Sequence, residues 1–91
     1  MPQPVAHTRP RHRAEVEGVV VAVTRPPRGT APGLVARLHD GTGDLDLLWL
    51  GRRDVPGITP GRRLVAEGMV SAGTARPTIV NPAYRLLRED T

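Results

Sequence analysis

Proline or glycine breaks this chain so often that no uninterrupted stretch of helical period and ordinary helix length survives. Ten Gly and ten Pro are spread through 91 residues, and a proline inside a helix both removes an amide donor and clashes with the preceding turn. What is left between the breaks is short and β-branched. Leu, Ile, Val and Phe number 22, of which 11 are Val and none is Phe. That share lies above the range of disordered chains, and a Val-rich core suits a pleated sheet. An all-β fold is expected. The length allows one domain, which buries roughly 60–65% of its unfolded surface.

Residues 1–12 hold three prolines, two histidines and two arginines with Val5 as the only large aliphatic after Met1. They cannot offset the entropy of their own ordering, so a flexible basic arm is expected there, with the folded domain over 13–91. RAEVEGVVVAVT at 13–24 reads as the first strand, with Gly18 marking a bulge or bend. RPPRGTAPG at 25–33 is a loop. LVARLHD and DLDLLWLG, on either side of Gly41-Thr42-Gly43, carry a hairpin signal. A turn centred on Gly41 and Thr42 pairs Leu38 with Leu45, Ala36 with Leu47 and Leu34 with Trp49 on the core side. Alternation then pairs His39 with Asp44, Arg37 with Asp46 and Val35 with Leu48 on the other face. RRDVPGITPG at 52–61 leaves room for one helical turn at most. RRLVAEGMVS at 62–71 reads as strand four, with Gly68 as a second bend, and RPTIVN at 76–81 as strand five, leading into PAYRLL. Five short strands and no long helix predict a small closed barrel, because closure removes exposed edges.

All 13 basic residues are arginine, and the formal charge is +4. The sign favours a polyanionic partner, although a GC-rich genome that favours arginine codons yields the same usage. The chain has no cysteine, which excludes disulfides, zinc knuckles and thiol chemistry. No cofactor or metal is expected. No signal-type apolar core and no run near 18 apolar residues is present, so a soluble, cytoplasmic protein with no membrane partner is expected. An enzyme is not. Arg37 and His39 opposite Asp44 and Asp46 account for the only close carboxylates, and there is no Lys and only one Ser to support nucleophilic or nucleotide-hydrolysing chemistry. No small-molecule substrate is expected either.

The DGTG turn at 40–43, the apolar strand ending in Trp49, the Pro60-Gly61 step, Gly68, and Asn81-Pro82-x-Tyr84 occur in an order that resembles the OB, or wedge, domain of RecG-type branched-DNA helicases. The pattern is also similar to short stand-alone OB-fold proteins of actinobacteria. It covers roughly residues 13–87. The resemblance implies a five-stranded Greek-key barrel that holds single-stranded or branched nucleic acid against strands two and three and the adjoining loops. No helicase motor accompanies it, so unwinding is not implied.

Within that frame the candidate nucleic-acid-binding residues are Arg25 and Arg28 in the first loop, Arg37 on strand two, Arg52 and Arg53 after strand three, and Arg76 after the loop between strands four and five. Arginine forks hold phosphates bidentately and stack on bases, with DNA favoured over RNA; the alternative is a scattered solvating surface. Trp49 shares the core row, Tyr84 is expected at the base of the barrel, and His39 pairs with Asp44. The rival function is a protein-interaction adaptor, or self-association, through Val35, Leu48 and Leu50 on the outer face of strands two and three.

Overall fold

A computed structural model describes residues 1–88 of the chain. It is all-β: β1 (Arg13–Thr24), β2 (Gly33–His39), β3 (Asp44–Leu50), β4 (Arg63–Met69), β5 (Thr78–Val80) and β6 (Ala83–Leu86) form one mixed sheet in the order β5-β3-β2-β1-β4-β6. The only helical element among the described residues is a single 3-10 turn at Val5–His7.

The hairpin register follows from alternation. Leu34, Ala36 and Leu38 of β2 face Trp49, Leu47 and Leu45 of β3, and all six side chains are buried. With Val16, Val20, Leu64, Val70 and Ile79 they make the core. A one-residue slip would turn this entire row to solvent, which is why the register is fixed.

β1 is long enough to serve two partners. Its first half pairs antiparallel with β4, from Arg13↔Met69 to Val19↔Arg63, and its second half pairs antiparallel with β2. The irregularity falls between Val20 and Ala22, not at Gly18. Gly18 is instead a close approach: a Cβ there would lie 2.6 Å from the His39 carbonyl oxygen, so no larger residue fits without moving backbone.

Three expectations are corrected. A sixth strand exists, because PAYRLL does not simply trail away: Ala83–Leu86 pairs antiparallel with β4. The ladder also does not run on into a closed barrel. β5 pairs parallel with β3 but meets the end of β4 only at the single bridge Val70↔Ile79, beside which the Ser71 amide donates to the Thr78 carbonyl at 2.8 Å. The reason is local. β5 is three residues long and lies between Pro77 and Pro82, neither of which can donate to a ladder.

The third correction is at the N-terminus, where residues 1–12 form a strap seated on the sheet rather than a free arm. Val5 is buried in the core cluster. Its amide donates to Asp40 Oδ2 at 2.8 Å, and the Ala6 amide donates to Thr42 Oγ1 at 3.1 Å. The Gln3 amide donates to the Glu15 carbonyl at 2.7 Å, and Arg11 and His12 exchange backbone hydrogen bonds with Val70 at 2.7 and 3.0 Å. The segment has too little apolar surface to order itself, so the order is imposed by partners on the turn before β3, on β1 and at Val70 just after β4.

Candidate functional site

The outer face of β2 and β3 presents three successive rows. In the first, His39 Nδ1 lies 2.7 Å from Asp44 Oδ1, which makes this pair a self-contained cross-strand contact. In the second, Arg37 faces Asp46, which faces Thr78. Arg76 Nη1 donates to both Asp46 oxygens, at 3.1 and 3.4 Å, and Arg37 Nε stands 3.8 Å from Oδ1. Two guanidiniums therefore share one carboxylate. Arg37 Nε is buried and has no hydrogen-bond partner among the described residues, so this nitrogen is held by charge rather than by a formed bond. A groove of about 500 Å³ runs beside this row, lined by Asp44, Asp46, Thr74, Arg76 and Thr78 among others. The third row is apolar: Val35, Leu48 and Val80 face one another across β2, β3 and β5.

A second arginine group stands beyond the apolar row, where the β1–β2 and β3–β4 loops meet. Arg25 Nε donates to the Arg53 carbonyl at 2.8 Å and its Nη2 to Asp54 Oδ1 at 3.2 Å. Arg53 Nη1 donates to the Pro26 carbonyl at 3.5 Å. The two loops are thus tied by their own arginines. Arg28 and Arg52, in the same loops, are exposed and form no hydrogen bond or ion pair among the described residues.

The six candidate arginines accordingly separate into two sets: Arg25, Arg28, Arg52 and Arg53 at the loop end, and Arg37 with Arg76 on Asp46. Arg63, outside the candidate set, lies 3.9 Å from Glu17, and Arg13 lies 3.0 Å from Glu67, so the cationic groups on β1 and β4 are each matched by a glutamate. The Asp40 carboxyl is displaced from its ordinary pKa. Burial pushes its pKa up, but hydrogen bonds from the Val5 amide, the Thr42 hydroxyl and the Thr42 and Gly43 amides together outweigh burial and hold it below the usual value.

Both aromatics are committed to the fold. Trp49 is 3% exposed and packs edge to face on Tyr84, with ring centroids 5.5 Å apart. The Tyr84 hydroxyl donates to the Pro56 carbonyl at 2.8 Å. Two features escaped the sequence reading. Val80 joins the apolar row only because β5 adds parallel to β3, and no local pattern announces a three-residue parallel strand. Arg76 reaches Asp46 by the same pairing. Among the described residues, no group of three or more His, Asp or Glu is placed to hold a metal ion, and no helix is long and apolar enough to cross a membrane.

No protein-family profile, curated protein or solved structure matches this chain.

Proposed function

We propose that this protein is an OB-type domain that binds nucleic acid, DNA ahead of RNA, by gripping phosphates through arginine. The observation that carries the reading is the loop-end cluster. Arg25, Arg28, Arg52 and Arg53 belong to two loops joined by hydrogen bonds, and among the described residues Asp54 is the only carboxylate bound to them. Arg28 and Arg52 are exposed and without a side-chain partner among the described residues, and arginine forks match phosphate geometry. The OB assignment is supported by three pairings: β1 shared between β2 and β4, β5 parallel to β3, and the Val70↔Ile79 bridge between the sheet's two ends. On this reading β1–β5 are a five-stranded Greek-key barrel left open except at one bridge, and β6 is an addition. The resemblance to the wedge domains of RecG-type helicases agrees with a single-stranded or branched substrate. The protein acts as a binder in the cytoplasm, without catalysis.

The test is fluorescence anisotropy with labelled single-stranded DNA, single-stranded RNA, duplex and fork substrates at roughly 50 and 200 mM salt, the range over which phosphate contacts register. Four phosphate contacts give a log–log salt slope of about −3.6 on a duplex, or roughly a 150-fold loss across that range. Arg28→Ala with Arg52→Ala should lower the slope by about 2. No binding to any substrate at the lower salt refutes the reading.

A further inference from the structure

The apolar row on the outer face is left unused by phosphate binding. Leu50 extends the row along β3, and it is 55% exposed while Val80 is 38% exposed. Single exposed aliphatics are ordinary, but a contiguous group marks a binding surface. Three strands at about 4.8 Å spacing and two residues along β3 make the patch roughly 10 by 7 Å. Two or three partner side chains fit there.

Both borders of the patch are cationic. On one side Arg37 and Arg76 share Asp46; on the other stand Arg25, Arg28, Arg52 and Arg53 with Asp54. Six guanidiniums against two carboxylates leave an apolar strip inside a positive frame. A second copy laid face to face would set like charge against like charge. A duplex presents phosphates but no apolar side chains to the strip. The matching chemistry is acidic and apolar together.

We propose that this face binds an extended acidic peptide segment of a partner protein, seating two or three apolar side chains on Val35, Leu48, Leu50 and Val80 and its carboxylates on the flanking arginines. The contact is small, so its affinity falls in the micromolar class. Because the arginines are shared, peptide and nucleic acid exclude one another.

Three fluorescein-labelled probes test this against the full chain: a 12-residue peptide alternating Asp or Glu with Leu or Trp, a Glu-only peptide of equal charge, and a single-stranded oligonucleotide. The alternating peptide is expected to bind, and the Glu-only peptide to bind at least about tenfold more weakly, the worth of burying one aliphatic side chain. Leu50→Ser with Val80→Ser should weaken the alternating peptide about tenfold and leave the oligonucleotide unchanged. Arg28→Ala with Arg52→Ala should weaken both ligands. If the serine pair melts early, Leu50→Asp alone serves, since its carboxylate repels the acidic peptide at an already exposed position. The proposal is overturned if the alternating peptide does not bind, if the Glu-only peptide binds as well, or if the serine pair leaves peptide affinity intact. It is also overturned if the serine pair weakens the oligonucleotide equally, which would make the strip a platform for bases. Failure of the nucleic-acid reading is separate: it appears as an oligonucleotide that does not bind in the absence of peptide.

Discussion

Replacing Asp40 with alanine is expected to destabilise the fold by about 2 kcal/mol and to loosen the N-terminal strap. Asp40 accepts four hydrogen bonds, from the Val5 amide at 2.8 Å, the Thr42 amide at 2.8 Å, the Thr42 hydroxyl at 2.7 Å and the Gly43 amide at 3.2 Å. Hydrogen bonds to a charged acceptor are worth about 1.5–3 kcal/mol each when desolvated. The Thr42 bonds are exposed, and water replaces them at small cost. The Val5 bond is part-buried and spans 35 residues of chain. It and a fraction of the turn bonds give the figure of about 2 kcal/mol. For a domain of this size that lowers Tm by roughly 8–16 °C. If the strap leaves altogether, the burial of the Val5 side chain goes with it, another 1.5 kcal/mol or so. Thermal and urea unfolding followed by circular dichroism reads the first quantity, and limited tryptic proteolysis after Arg11 reads the second. Wild-type stability in Asp40→Ala, within about 0.5 kcal/mol, would refute the claim that this carboxylate orders the strap.

Four further outcomes follow from the same geometry. Because the folded pKa of Asp40 is depressed, its contribution is full above the unfolded value of about 3.9 and is lost as pH falls through the folded one; acid titration of stability should therefore flatten in Asp40→Asn. Gly18→Ala puts a methyl group 2.6 Å from the His39 carbonyl oxygen and should cost about 1–3 kcal/mol in chemical denaturation. Leu47→Ala, at a fully buried position, should cost about 2–5 kcal/mol by the same measurement. Asp46→Asn removes the charge shared by Arg37 and Arg76, so in anisotropy it should tighten oligonucleotide binding severalfold at low salt; unchanged affinity would place that pair of arginines outside the contact.

The parts of the fold legible in the sequence are those fixed by neighbours. The β2–β3 hairpin is one, since a four-residue turn and strict alternation determine every facing pair from Leu34↔Trp49 to His39↔Asp44. The burial of Trp49 follows from the same row. The strap was hidden because its ordering partner, Asp40, is remote in sequence from Val5. β5 is legible within 76–81, but its parallel pairing with β3 is not, and β6 is obscured because the four residues from Ala83 to Leu86 carry no period of their own; both pairings are decided by the distant strands β3 and β4. The candidate arginines are legible by type and position, but their division into two groups is not. That division depends on Arg25 turning back to Arg53 and on Arg76 crossing to Asp46, both contacts between distant loops and strands.

The double pairing of β1 also shapes how the chain is made. β1 leaves the ribosome first, and its second half finds β2 within a short span. Its first half waits for β4, roughly 45–55 residues later, which at 5–20 residues per second is a delay of about 2–11 s. For that interval Arg13–Val19 is an open strand edge, the usual starting point for aggregation. Its outward side chains include Arg13, Glu15 and Glu17, charges that keep nascent chains apart before they become ion-pair partners for the N-terminus, Arg63 and Glu67.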